Sequence, residues 1–172
     1  VISRHPLLAL RRHLLPRRAR ADRLNLQRGA LEALVAAPTG LLRFYSVHLD
    51  HVDSSERLAQ IAALRAIALD YGMTGGAISG TAEVGFPELP ASPDLVLAGD
   101  FNLEPGSPDY LALTGDGRLV DASRGDDGWS WTDPAGVKPV QRLDYAFANP
   151  ELAARIISVR IDRQATGSDH MP

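Results

Sequence analysis

Two short runs set the terms for this chain. Leu41-Leu42-Arg43-Phe44-Tyr45-Ser46-Val47 and Asp94-Leu95-Val96-Leu97-Ala98 are apolar at nearly every position, not at every second one. A strand that alternates polar and apolar residues has one wet face; a strand that does not is expected to be covered on both. The chain therefore has to place strands inside layers. At 172 residues with 45% hydrophobic and 23% charged side chains it has the material for one such domain and is not a disordered chain. There is no Cys, which removes disulfide scaffolds, thiolate zinc sites and cysteine nucleophiles together. No run of about 18 apolar residues exists, so no membrane span is expected.

Other elements follow from local signals. Residues 1–10 read as a strand end with a turn at His5-Pro6, and residues 11–28, with seven Arg, as a solvated or phosphate-facing loop. Gly29–Val35 and Leu41–Val47 form a hairpin joined by Ala36-Ala37-Pro38-Thr39-Gly40. Asp53 caps a helix, with Glu56 three residues on as the reciprocal half of a capping box. Leu58, Ile61, Leu64 and Ile67 recur at helical spacing, and Gly72 is its natural stop. Residues 72–93 read as a long loop. Ser107-Pro108 opens a short helix, as N-cap and first helical residue. Residues 114–128 are loop around Leu119-Val120. Gln141–Ala148 and Ile156–Ile161 are further strands, and 166–170 is a terminal loop. The elements mix without strict βαβ alternation, and no GxGxxG or P-loop pattern is present. The expected fold class is α/β, a layered sandwich of mixed β-sheets flanked by helices.

Charge is uneven. Residues 1–43 carry nine Arg against Asp22 and Glu32, whereas 44–172 carry nine basic against nineteen acidic side chains. The acidic body argues against broad capture of nucleic acid and suits carboxylates gathered around a divalent cation.

Polar clusters follow the apolar runs: His48 after one, Asp100 and Asn102 after another, Asp144 within QRLDYAF, and Asp169-His170 in the tail. Groups at strand ends can converge on one sheet edge. Asp100 and Asn102 are two apart, so in an extended chain both face one site; the plain alternative is a Gly-Asp turn. Phe101 between them is expected to pack beneath. Asp144 interrupts an apolar strand and needs a partner. Arg142 on the same face would make it structural; an imidazole would make it an acid/base dyad.

In order, HLDH (48–51), GDFN (99–102), RLDY (142–145) and SDH (168–170) resemble the endonuclease/exonuclease/phosphatase superfamily, the DNase I-like group. ISRHPL near the start resembles the segment before its central hairpin. The resemblance implies a four-layer α/β sandwich and a Mg²⁺- or Mn²⁺-dependent phosphoesterase that hydrolyses a phosphodiester or phosphomonoester by in-line water attack. It implies that Asp100 orients and deprotonates the water and that Asn102 binds the scissile phosphate or the nucleophile. His170 would stabilise developing charge, Asp144 would orient His170, and His48 would donate to the phosphate or assist the leaving group. Asp169 would contribute to the metal site. Asp50 and His51 extend the first motif without firm roles, and Arg57 and Gln60 position the helix. Oxygen donors without Cys suit a hard cation.

The superfamily also has an upstream half with an Asn-bearing strand and a metal-binding Glu, which this chain does not contain; Glu32, in the hairpin, is not assigned that role. Residues 1–172 are therefore expected to be a single partial domain lacking its N-terminal half, weakly active or inactive in isolation. The alternative is a non-catalytic relative or scaffold fragment acting as a binding module. Candidate substrates are nucleic acid, nucleotides, phospholipid headgroups and inositol phosphates. HLDH, in place of the patterns of DNase I or exonuclease III-like enzymes, points toward general bacterial hydrolases. A monomer is expected, and localisation stays open between cytoplasmic and secreted, with no signal-peptide pattern visible.

Overall fold

The computed structural model describes residues 2–71, 80–123 and 128–172. Six strands form one mixed sheet: β1 (Leu7–Leu14), β2 (Gly29–Ala37), β3 (Gly40–His48), β4 (Leu95–Asp100), β5 (Val120–Asp121) and β6 (Asp144–Ala148). Their spatial order is β1-β2-β3-β4-β6-β5. Only β3 and β4 run parallel, which their connection through α1 (Ser54–Leu69) allows; the other pairs are antiparallel. Two short helices follow, α2 (Pro108–Thr114) and α3 (Pro150–Ala153).

The hairpin turns as the sequence predicts, at Ala37↔Gly40. Helix α1 starts where predicted, with the Asp53 carboxylate accepting from the backbone N–H of Ser55 and Glu56. The capping box does not close. Glu56 is buried and turns instead to the Arg18 N–H and the Asn25 amide, while the Asp53 N–H donates to Asp50 Oδ1 at 2.7 Å. The helix ends at Leu69 with Asp70 as its cap; Gly72 lies outside the described residues. Ser107 caps α2 by accepting from Tyr110 N–H, with Pro108 in its first turn. The 72–93 loop contains a 3₁₀ turn at Thr81–Val84, and residues 72–79 of it lie outside the described residues.

Three expectations fail. Residues 11–14 are strand, not loop: Arg11 lies opposite Glu32 in the β1–β2 register, and its Nε donates to Glu32 Oε2 at 3.0 Å, so the charge is matched across the ladder. Residues 156–161 form no strand: the sheet order ends at β5, and this run is not part of it. Of 141–148 only Asp144–Ala148 is continuous strand; Gln141 makes an isolated bridge to Trp131.

The core lies on the sheet face covered by α1 and α2. Tyr45, Val47, Leu97, Phe101 and Phe147 pack there against Ile61, Leu64, Ala68 and Leu113. Phe101 meets Phe147 edge-on at 4.9 Å between ring centres. Along β3 burial alternates: Tyr45 and Val47 are buried, Phe44 is half-buried, and Ser46 and His48 are exposed. The apolar run therefore meets a covering layer on only one face among the described residues. No helix among them is long and apolar enough to cross a membrane.

Candidate active site

The C-terminal ends of the parallel strands β3 and β4 carry His48 and Asp100, which face each other in register. Gly99 makes the approach possible: its φ is +136°, and a Cβ there would collide with the Val47 carbonyl oxygen. Beyond Asp100 the chain is not extended. Asn102 has a φ of 51°, a left-handed conformation that Asn tolerates. The turn and the site thus coincide. Asp100 Oδ1 accepts from the Asn102 N–H at 2.9 Å and Oδ2 from the Asn102 amide at 3.1 Å; the amide also donates to the Leu49 carbonyl at 3.0 Å. Phe101, fully buried, packs beneath as expected.

Asp144 heads β6 opposite Asp100 in the β4–β6 register. Its Oδ2 lies 2.8 Å from His170 Nδ1. A carboxylate only accepts, so Nδ1 carries the proton and Nε2 points onward. That Nε2 is 3.9 Å from Asp100 Oδ2, and His48 Nε2 is 3.4 Å from the same oxygen. Arg142 is not Asp144's partner. It pairs with Asp121 at 2.8 Å and lies over the Tyr145 ring.

Electrostatics follow from this geometry. Burial pushes the Asp100 carboxyl above its ordinary value, and the nearby Asp144 charge adds to it, against the Asn102 backbone bond that lowers it. Burial, then the Arg28 charge, holds His48 below the usual imidazole value. For His170 burial opposes protonation, but the bond to Asp144 and the carboxylate charge prevail, so its value is raised.

Sequence reasoning missed Ser130. It is fully buried, donates to Asp144 Oδ2 at 2.8 Å, and accepts from the N–H groups of Leu143 and Asp144 at 3.0 and 2.9 Å. The available signal was that the chain's two tryptophans, Trp129 and Trp131, flank it in a loop. Met171 N–H donates to the Ser130 carbonyl and Thr132 N–H to that of Asp169, which stitches the tail to this loop. Asp169 Oδ2 accepts from the Trp131 indole at 3.0 Å. Asp169 is not among the residues lining the cleft of about 850 Å³ that His48, Asp100, Asn102 and His170 line. Among the described residues no three or more His, Cys, Asp or Glu are grouped to hold a metal ion. Asp50 is buried and closes the turn before α1, accepting from Val52 and Asp53 N–H. Arg57 is held by Asp109, and Gln60 braces Asp50 N–H and the Pro16 carbonyl, as positioning residues would.

A sequence profile of the Endonuclease/Exonuclease/phosphatase family matches residues 1–170. The chain belongs to that family. Solved structures agree on the fold. A mannosyl-6-phosphatase of Bacteroides thetaiotaomicron VPI-5482 superposes with a TM-score of 0.61 at 16% identity, covering 84% of this chain and 53% of its own. Sphingomyelinase C of Streptomyces griseocarneus gives 0.57 at 19%, covering 93% and 53%. A beta toxin variant of Staphylococcus aureus with bound magnesium ions gives 0.61 at 13%, covering 87% and 51%. The chain thus spans about half the length of these proteins. No curated protein matches it. The mixed sheet with flanking helices is the family's α/β architecture, and in this chain it is not closed.

Proposed function

We propose that the protein is a phosphoesterase that attacks a phosphodiester or phosphomonoester with water in line with the leaving oxygen. The observation that carries this is the meeting of Asp100 with two imidazoles, His48 at 3.4 Å and His170 at 3.9 Å, the second oriented by Asp144 at 2.8 Å. The three come from distant parts of the chain.

Asp100 accepts the proton of the attacking water; its raised carboxyl makes it a better base than an exposed Asp. Asn102 fixes the Asp100 carboxylate through two bonds and so sets the direction in which its remaining lone pairs point. His170, with Nδ1 tied to Asp144, presents Nε2 to a phosphoryl oxygen and, when protonated, donates to it as charge builds. His48, exposed at the cleft, donates to the phosphate or to the departing oxygen.

The proposal includes a magnesium or manganese ion, in line with the magnesium-bearing structural neighbour. The donors fit a hard cation in kind, oxygens without thiolate, with Asp169 the proposed ligand. They do not suffice in number among the described residues. When bound, such an ion would offset charge on the phosphoryl oxygens.

The mannosyl-6-phosphatase and the sphingomyelinase support a phosphate ester as the substrate class for this cleft. The test is hydrolysis of bis-p-nitrophenyl phosphate by the natural full-length form of the protein, with Mg²⁺ and then with EDTA. Turnover with Mg²⁺ that EDTA abolishes and Mg²⁺ restores is expected. Turnover indifferent to EDTA would refute the metal, and absence of turnover on this and on p-nitrophenyl phosphate would refute the reaction.

A further inference from the structure

The arginine-rich segment is mostly spoken for. Arg11 pairs with Glu32, Arg20 with Asp53 and Arg23 with Asp22, and Arg18 and Arg17 bond Ser55 and the Asn25 carbonyl. Arg28 differs. It is only 8% exposed, lines the same cleft as His48, Asp100 and His170, and has no carboxylate partner among the described residues. Its Nη2 meets His51 Nδ1 at 2.9 Å, and its buried Nε has no partner. The other arginine of the cleft, Arg57, shows the contrast: its Nε donates to Asp109 at 2.6 Å.

A guanidinium is charged at every working pH, and burying it unpaired is costly. Its planar fork matches a phosphate or carboxylate. The Arg28 backbone is also pinned in place. Its carbonyl accepts from Leu15 N–H at 3.0 Å and from the Gln27 amide at 2.9 Å. Its neighbour Gly29 lies directly opposite His48 in the β2–β3 register, about 5 Å across the ladder. The guanidinium, bonded to His51 in the wall of the cleft, lies beside the reaction centre, and its charge contributes to holding His48 less basic than usual. The cleft, at about 850 Å³, has room for more than one phosphoryl group.

We propose that Arg28 and His51 form an anion subsite that takes a second anionic group of the substrate, a phosphate or carboxylate borne away from the ester under attack. This rests on the phosphoesterase reading and narrows the substrate class to esters with two anionic groups.

The test compares inhibitors of bis-p-nitrophenyl phosphate hydrolysis: propyl phosphate, propane-1,3-diyl bisphosphate and inorganic phosphate. Wild type is expected to bind the bisphosphate roughly tenfold or more tightly than the monophosphate, the worth of one charge-assisted pair. Arg28→Gln should bring the two within about twofold and leave the monophosphate constant nearly unchanged, and Arg28→Lys should keep part of the preference. An unchanged preference in Arg28→Gln overturns the proposal. So does noncompetitive inhibition by inorganic phosphate that Arg28→Gln abolishes without any bisphosphate preference, since the subsite would then hold a free anion. If Arg28→Gln does not fold, His51→Ala, at an exposed position, carries the test: the preference should fall, and its persistence overturns the proposal. If wild type shows no turnover, the phosphoesterase reading fails on its own. Calorimetric titration with the same two organic phosphates then decides the subsite, and equal affinities overturn it.

Discussion

Replacing Ser130 by Ala removes the buried oxygen behind Asp144, and its cost can be worked out bond by bond. The hydroxyl is inaccessible to solvent and serves three groups: the Asp144 carboxylate at 2.8 Å and the N–H groups of Leu143 and Asp144 at 3.0 and 2.9 Å. Losing a hydrogen bond to a charged acceptor costs about 1.5–3 kcal/mol, and leaving a buried amide without its acceptor about 1–3 kcal/mol more. The two amides share one acceptor oxygen, so that penalty is counted once, and about 3–5 kcal/mol in all is expected. At roughly 2–4 °C per kcal/mol for a domain of this size, the unfolding midpoint should fall by about 10 °C. Thermal unfolding followed by circular dichroism measures it. Turnover, assayed well below the lowered midpoint, should also fall by about 10–100-fold, since a carboxylate's supporting bonds fix the imidazole it orients. A midpoint shift under about 3 °C together with unchanged turnover would show that Ser130 neither carries the strand end nor positions Asp144.

Two further outcomes test separate parts of the structure. Asp144→Asn keeps the side-chain volume but offers His170 Nδ1 an amide, so turnover should drop by about 10²–10⁴-fold with little change in midpoint; wild-type rates in this variant would dismiss the dyad. Gly99→Ala forces a Cβ into the Val47 carbonyl at a φ of +136°, and should cost more than about 3 kcal/mol or yield no soluble protein. A Gly99→Ala protein that melts like wild type would contradict the close approach of β3 and β4.

Much of the architecture was legible in the residues. Asp53 before Leu58, Ile61 and Leu64 places a helix start because a side-chain acceptor and a helical apolar stripe are local facts. Ser107-Pro108 and the Pro38-Thr39-Gly40 turn are local in the same way. Strand extent was less legible. The Ile156–Ile161 run has strand-forming residues yet pairs with none of the six strands, whereas Arg11 to Leu14 look like loop and become strand because Glu32 waits across the ladder. Pairing is a property of the neighbour, which periodicity does not carry.

The site divides along the same line. The order of HLDH, GDFN, RLDY and SDH pointed to the family from the chain alone. Which groups bond to which was settled only by folding. Asp144 could be paired on paper with Arg142, two residues away, or with an imidazole; the structure gives Arg142 to Asp121 and His170 to Asp144, across 26 residues. Ser130 between two tryptophans and Arg28 in the arginine-rich run carried only faint local marks, because a hydroxyl or a guanidinium acquires its partners from the groups that burial brings against it. Local spacing fixes backbone conformation, while the partner of a buried polar group is fixed by distance in space, and that distance exists only once the sheet has formed.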